Sequence, residues 1–217
     1  MLAPHADDES LACGGLLALL AWQHVEAHVV VVTDGAASHP GSSAFPPARL
    51  ARVREAEVRE AVRILGHGER THPLSLPDGA TPTPGLPGFD AASERLGALL
   101  TDLAPQTVVV PWRRDPHPDH VATWHLAHAC RDAVWRWLEV PVCAWHRGDG
   151  AAPRTDEATP WRLDVSSVRD VKARAVAAHV SQTTGLISDS PDGFVLTPDL
   201  LAPFERPWEL YLDPTDA

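Results

Sequence analysis

Val29-Val30-Val31-Val32-Thr33 is a run of five β-branched residues without a charged side chain. A second run of the same character, Thr-Val-Val-Val, spans residues 107–110. Strands that are apolar throughout, instead of alternating with polar residues, are typical of parallel sheets covered on both faces. The two runs therefore predict two inner strands of a parallel sheet.

Helical patterns lie beside these strands, at residues 13–25, 47–65, 91–103 and 120–138. Strands that alternate with helices predict an α/β fold: a Rossmann-like, doubly wound, mostly parallel sheet with helices on both faces. Residues 140–145 favour a further strand, whereas residues 74–87 and 147–159 favour loops. Only three residues precede Pro4, so we expect the first strand to be truncated.

The length of 217 residues predicts a single domain over residues 1–217. A formal charge of −11, from 29 acidic and 18 basic residues, argues against nucleic acid or an anionic membrane as a partner. The three cysteines are widely spaced and odd in number, which favours reduced, packed side chains. The oligomeric state has no signature in the sequence.

The start of the chain carries no targeting signal that we can identify. The apolar segment after residue 10 is preceded by Asp7, Asp8 and Glu9, whereas a secretory signal needs basic residues there. No stretch approaches the ~20 apolar residues that cross a bilayer. We therefore expect a cytoplasmic protein without a membrane span.

The first polar cluster, His5-Ala6-Asp7-Asp8-Glu9, lies where the first strand should turn into a helix. Carboxylates this close raise one another's pKa unless a cation neutralises them, and a metal ion is one such cation. The alternative is an ordinary acidic helix N-terminus, where Asp and Glu favour the helix dipole. This cluster alone does not separate the two.

The second polar cluster, Asp115-Pro116-His117-Pro118-Asp119-His120, follows the second buried run. In doubly wound sheets, ligands bind at the carboxyl ends of the strands. A polar loop leading into a helix, with Asp119 near the N-cap, is the alternative. Two histidines flanking an acid favour a site, because ligating or catalytic imidazoles are commonly held by a carboxylate.

Taken together, the clusters supply His5, Asp8 and His120, two imidazoles and one carboxylate. Three such ligands with an open fourth position are the composition of a catalytic zinc site, although Fe²⁺ or another divalent metal also accepts these donors. Asp7, His117 and Asp119 then remain beside the metal for acid–base chemistry.

The two motifs resemble those of the PIG-L/LmbE-like deacetylases, His-Pro-Asp-Asp-Glu and a later His-x-Asp-His. Ala6 replaces the usual proline, and Asp115-Pro116 replaces the Tyr and Gly of some members. The resemblance extends along most of the chain. Further matching segments are Thr33-Asp34-Gly35, Arg54-x-x-Glu57, Leu76-Pro77-Asp78-Gly79 and His179-Val180-Ser181-Gln182.

The resemblance implies that His5, Asp8 and His120 bind zinc and that Asp7 is the general base. His117 would be the electrophile or general acid, protonated during the reaction, with Asp119 supporting its charge. The implied activity is a zinc-dependent hydrolase that removes an N-acyl group, above all N-acetyl, from a small amino sugar or glycoconjugate. The alternatives are a metallo-amidase for a non-sugar N-acyl compound and a non-catalytic sugar-binding accessory protein.

Two further residues are candidates for substrate binding. Arg54 interrupts the apolar face of its predicted helix, so its charge needs a partner or a function. It either pairs with Glu57 or points into the site and binds substrate, as the resemblance implies. Asp78 lies in a Pro/Gly turn, where it either forms the turn or contacts a sugar hydroxyl.

Overall fold

The computed structural model describes residues 1–146 and 156–215. Seven strands are present in these ranges: β1 (Leu2–Ala3), β2 (Val29–Thr33), β3 (Thr71–Leu76), β4 (Thr107–Pro111), β5 (Arg136–Val140), β6 (Ala158–Asp164) and β7 (Trp208–Pro214). The α-helices in the same ranges are α1 (Asp8–Trp22), α2 (Pro47–Ile64), α3 (Phe89–Leu103), α4 (Pro118–Ala129), α5 (Arg169–Ala177), α6 (Val180–Thr183) and α7 (Pro198–Leu201).

The strands form two hydrogen-bonded sets, β1-β2-β3 and β4-β5-β7-β6. β1 and β4 are in contact, which puts the two sets side by side in the order β3-β2-β1-β4-β5-β7-β6. The pairs β1/β2, β2/β3 and β4/β5 are parallel, while β7 runs antiparallel to both β5 and β6. The predicted doubly wound, mostly parallel sheet is therefore confirmed.

Alternate residues of strand β2 pack into two different hydrophobic cores, one on each face of the sheet. Val29 and Val31 pack with residues of α1, α2 and α5. Val30 and Val32 pack on the other face with residues of α3 and α4. Because both faces of β2 are covered, every residue of this strand is buried, which explains its uniformly apolar sequence.

Several boundaries differ from the predictions. The helix predicted at residues 120–138 ends at Ala129, and Arg136–Val140 is a strand instead. Pairing of this segment with β4 along its whole length outweighs its local helical pattern. The prediction of a strand at residues 140–145 is wrong, since Cys143–His146 is a 3₁₀ turn.

Part of each predicted loop is a strand in the structure. Residues 74–76 of the first loop belong to β3, which pairs with β2. In the second loop, residues 147–155 lie outside the described residues, and β6 begins at Ala158. In both places pairing with a neighbouring strand extends the sheet into a segment rich in turn residues.

Two expectations from composition can be compared with the structure. The three cysteines are free, and Cys13 is buried. Across the described part of the chain, the structure contains no helix that combines the length and the apolarity needed to span a bilayer.

Candidate active site

The predicted ligand residues lie at the carboxyl ends of β1 and β4. His5 follows β1, Asp8 is the first residue of α1, and His120 lies in the first turn of α4. The strand order reverses between β1 and β4, and doubly wound sheets bind ligands in the crevice at this switch point. The topology therefore brings together two clusters that are more than 100 residues apart in sequence.

Asp8 lies between the two histidine rings. Its Oδ2 atom is 3.4 Å from Nδ1 of His5 and 3.3 Å from Nε2 of His120. The main-chain amide of His5 donates to the same oxygen at 2.9 Å. The ring centroids of His5 and His120 are 5.3 Å apart, so the three donor groups converge on one point.

A carboxylate lies behind each of these two rings. Asp119 Oδ2 is 3.1 Å and Asp78 Oδ1 is 3.3 Å from Nε2 of His5. Asp115 Oδ1 is 3.2 Å from Nδ1 of His120. Carboxylates placed in this way orient metal-ligating imidazoles and raise their basicity. The position of Asp115 was not predicted, because it departs from the family pattern at that site.

The carboxylates around His5 and His120 favour positive charge at this point. Burial alone would lower the pKa of His120, but Asp8 and Asp115 outweigh it and raise this pKa to about 9. Burial likewise opposes protonation of His5, yet contacts with Asp119, Asp78 and Asp8 hold its pKa well above the usual value. Imidazolium protons or a divalent cation can supply this charge.

The donor set fits a divalent metal ion. The candidate ligand atoms of His5, His117 and His120 all lie within 4.8 Å of one another. The Asp8 carboxylate adds a hard oxygen, and its pKa is held well below the usual value because the histidine charges outweigh its burial. Imidazole nitrogen together with carboxylate oxygen is a combination that zinc and iron accept.

His117 is held in one orientation by the start of α4. It is the N-cap residue, and its Nδ1 accepts the main-chain N–H of Asp119 at 3.2 Å. Burial and the neighbouring His5 and His120 lower its pKa. A neutral ring that accepts at Nδ1 carries its proton on Nε2. The Asp119 carboxylate contacts His5, Gly79 and Thr81, and its charge partly opposes the lowered pKa of His117. A ring protonated during the reaction stays a prediction.

Asp7 has a strained main chain. Its φ of 141° is a conformation that residues with a side chain rarely adopt. Such strain persists only where surrounding contacts hold it. The side chain of Glu9 accepts the Asp7 amide at 3.0 Å, while Asp7 O accepts the amides of Ser10 and Leu11. Burial raises the pKa of the Asp7 carboxyl to about 6, although Arg54 opposes the shift.

Glu9 is itself held in a buried cluster. Its Oε1 atom accepts from Ser10 Oγ at 2.6 Å and from Nε2 of His179 at 2.8 Å. Glu9 and His179 are both fully buried. Through Glu9, His179 is connected to the main chain of Asp7.

Arg54 does not pair with Glu57. Its Nη2 donates to the main-chain oxygen of Ala6 at 2.8 Å and lies 3.4 Å from Oδ2 of Asp7. Glu57 instead accepts the amide and hydroxyl of Ser181 at 2.7 and 2.6 Å. Of the two alternatives for Arg54, the structure therefore has the one in which it points into the site.

Asp78 combines a turn position with a place in the site. Its Oδ2 accepts the amide of Ala37 at 2.9 Å, and its Oδ1 faces His5. Both Asp78 and Arg54 line a cavity of about 430 Å³. The same cavity is lined by His5, Asp7, Asp8, His117 and His120.

Two known deacetylases are similar to this chain in sequence. The chain is 27% identical over 202 residues to the "Probable N-acetyl-alpha-D-glucosaminyl L-malate deacetylase 2" of Bacillus cereus, covering 86% of this chain and 84% of that protein. It is 28% identical over 247 aligned residues to the 1D-myo-inositol 2-acetamido-2-deoxy-alpha-D-glucopyranoside deacetylase of Saccharomonospora viridis, covering 92% and 88%.

A solved structure shares the fold. The triple mutant of a deacetylase in the teicoplanin biosynthetic pathway matches with a TM-score of 0.73 and 20% identity, covering 98% of this chain and 95% of that chain. A family model described as PIG-L, GlcNAc-PI de-N-acetylase, matches residues 1–131. Because this match spans more than half of the sequence and contains both histidine–aspartate clusters, the chain belongs to the PIG-L family.

Proposed function

We propose that this protein is a metal-dependent hydrolase that removes an N-acetyl group from an amino sugar. The observation that carries the proposal is the arrangement of Asp7 and His117 on the same cavity as His5, Asp8 and His120, with both histidine rings in contact with Asp8. Membership of the PIG-L family and the deacetylase names of the relatives support the same reaction.

We assign the metal to His5, Asp8 and His120, and we propose zinc as the ion. When bound, the ion supplies a Lewis acid that lowers the pKa of water toward ~7 and polarises the amide carbonyl. The carboxylates of Asp119 and Asp115, behind His5 and His120, hold each ring with its other nitrogen toward Asp8.

Asp7 acts as the general base that takes a proton from the attacking water. A buried carboxyl with a pKa of about 6 is well suited to exchange protons near neutral pH. The guanidinium of Arg54 lies 3.4 Å away and favours the ionised form. Glu9 holds the Asp7 main chain, so the carboxylate has a defined direction.

His117 stabilises the oxyanion by donating a hydrogen bond from Nε2. Its Nδ1 is committed to the Asp119 amide, which leaves Nε2 as the donor. A donor oriented before the reaction begins lowers the barrier by several kcal/mol, about 2.7–4 in measured cases. The water oxygen bonds to the carbonyl carbon, and Asp7 passes the proton to nitrogen as the C–N bond breaks. A free amine and acetic acid, which ionises to acetate, are released.

The test is acetate release from a panel of N-acetylated compounds. The purified chain, stripped of metal and reloaded with Zn²⁺ or Fe²⁺, is assayed on N-acetyl amino sugars and on N-acetyl amides without a sugar. Faster hydrolysis of the sugars supports the proposal. Hydrolysis of the non-sugar amides alone would assign a different metallo-amidase, and binding of sugars without turnover would assign an accessory protein.

A further inference from the structure

The lining of the reaction cavity has two unlike parts. One part carries the histidines and carboxylates of the site. The apolar part of the lining, here called the apolar wall, comes from α1, the segment after β5 and the segment from residue 194 to 204. Its residues are Leu11, Val142, Phe194, Leu196, Leu200 and Phe204.

The cavity offers little positive charge to a substrate. Of the cavity-lining residues in the described ranges, Arg54 is the single arginine or lysine, and it already contacts Ala6 O and Asp7. The ring of His146 contacts the main-chain oxygen of Leu200 at 2.9 Å. Asp192, on the same lining, is negative. Among the described lining residues, a carboxylate or phosphate on the substrate would therefore meet no arginine or lysine that is not already engaged.

The apolar wall is held in place by main-chain hydrogen bonds. The amide of Phe194 donates to Ser38 O at 2.8 Å, and the amide of Leu196 donates to Gln182 O at 2.7 Å. The Phe194 side chain is nevertheless 47% exposed. An apolar surface that is preformed and partly open to solvent on the substrate cavity is what an apolar ligand group needs.

A second cavity, which has both apolar and charged lining residues, shares two side chains with the apolar wall. Leu11 and Phe204 line this second cavity of about 700 Å³, which includes Val176, Ala177 and Leu201. A substituent longer than a few carbon atoms therefore has apolar side chains to contact.

We propose that the substrate is an N-acyl amino sugar that carries an apolar substituent, and that this substituent packs on the apolar wall. The inference rests on the proposed function, since the sugar amide is what places the substituent in this cavity. The substituent is either the aglycone or a longer acyl chain. Both have the same chemistry, and the substrates used in the test distinguish them.

The test compares kcat/KM for four substrates of the metal-loaded protein. They are N-acetylglucosamine, its hexyl glycoside, its carboxypentyl glycoside and N-hexanoylglucosamine. Each buried methylene strengthens binding about fourfold, so partial burial of a hexyl chain should raise kcat/KM at least tenfold. A gain for the hexyl glycoside identifies the aglycone, and a gain for N-hexanoylglucosamine identifies the acyl group.

The carboxypentyl glycoside is the matched polar control and should show a much smaller gain. If N-acetylglucosamine is hydrolysed as fast as both apolar substrates, the inference is wrong while the proposed function stands. If none of the substrates is turned over, their binding affinities, measured by calorimetry, test the same inference. An apolar derivative that binds at least tenfold more tightly than N-acetylglucosamine supports the apolar wall, and equal binding overturns it.

Two variants test whether the preference for apolar substrates depends on the apolar wall. Phe194→Ala should reduce the kcat/KM ratio of the preferred apolar substrate to N-acetylglucosamine by about threefold or more, because the exposed ring lies at the cavity. Leu186→Ala is the matched control, since Leu186 is 45% exposed and does not line the cavity. An unchanged ratio in Phe194→Ala would contradict the proposal.

Discussion

The carboxylate of Asp119 lies 3.1 Å from Nε2 of His5, the ring nitrogen away from Asp8. It also accepts the amides of Gly79 and Thr81, at 2.9 and 3.1 Å. Asp119 thus connects the proposed ligand His5 to the turn after β3. Its carboxylate orients the imidazole and raises its basicity, a role separate from support of His117.

Asp119→Asn should weaken zinc binding by about 10- to 100-fold, the usual effect of losing a carboxylate behind a ligating histidine. Competition with a chromophoric chelator measures the affinity. Asp102→Asn, on the exposed end of α3, is the control and should bind zinc like the unmodified protein. Equal affinity in all three proteins would exclude an orienting role for Asp119.

Asp7→Asn should lower kcat by about 10²- to 10⁴-fold, the usual worth of a general base, while zinc remains bound. The side chain keeps its size, but the amide cannot accept the proton from water. Steady-state acetate release and metal analysis of the same sample measure the two effects. Full activity in this variant would reject Asp7 as the base.

Glu9→Gln should lower kcat at least tenfold with little change in KM or in zinc content. The charged acceptor of the Asp7 amide and of His179 is lost, so the strained main chain of Asp7 is held less firmly. The loss also lowers the free energy of unfolding by about 1–3 kcal/mol, because buried His179 loses its partner.

A positioning role for Glu9 is separated from mere destabilisation by a second variant. Glu205→Gln, in an exposed turn, should change neither kcat nor zinc content. The Glu9→Gln assays are made well below its melting temperature, where the chain is folded. If kcat is then normal, Glu9 contributes to stability alone.

Arg54→Lys distinguishes positioning of Asp7 from binding of substrate. Nη2 of the guanidinium contacts both Ala6 O and Asp7, while Nη1 donates to Gly35 O at 3.4 Å. A lysine ammonium has a single nitrogen and cannot make contacts from two positions. If Arg54 positions Asp7, kcat falls and KM stays nearly constant. If Arg54 binds substrate, as the family resemblance implies, KM rises instead. Steady-state kinetics on one substrate measure both values.

The contacts of Asp189 predict a pH-dependent change in the loop of residues 42–44. Hydrogen bonds from Ser42, Ser43 and Ala44 lower its pKa to about 2. Because the folded value lies below the unfolded value of about 3.9, the contacts stabilise the loop above pH 4 and are lost as the pH falls toward 2. The protection factors of the Ser43 and Ala44 amides, which compare observed exchange with the intrinsic rate at each pH, should therefore fall between pH 4 and pH 2.

Asp189→Asn should show fast exchange at Ser43 and Ala44 already at pH 7. Asp213→Asn, remote from this loop, should exchange at the rate of the unmodified protein. Slow exchange in Asp189→Asn at pH 7 would mean that other contacts hold the loop.

The amino-acid sequence by itself determined the sheet centre and the donor set. Val29–Thr33 is apolar throughout because both of its faces are covered, and this information is local. His5, Asp8 and His120 follow predicted strands, and parallel strands place their carboxyl ends at one edge. These features can be predicted without knowing which side chains are in contact.

Tertiary structure alone decided the partners within the site. The Asp119 carboxylate contacts His5, Asp115 lies behind His120, and Arg54 reaches Ala6 instead of Glu57. Residues 136–138, predicted as the end of a helix, instead belong to strand β5 because this segment pairs with β4. In each case the outcome depends on contacts between segments far apart in sequence, which local periodicity and residue type do not encode.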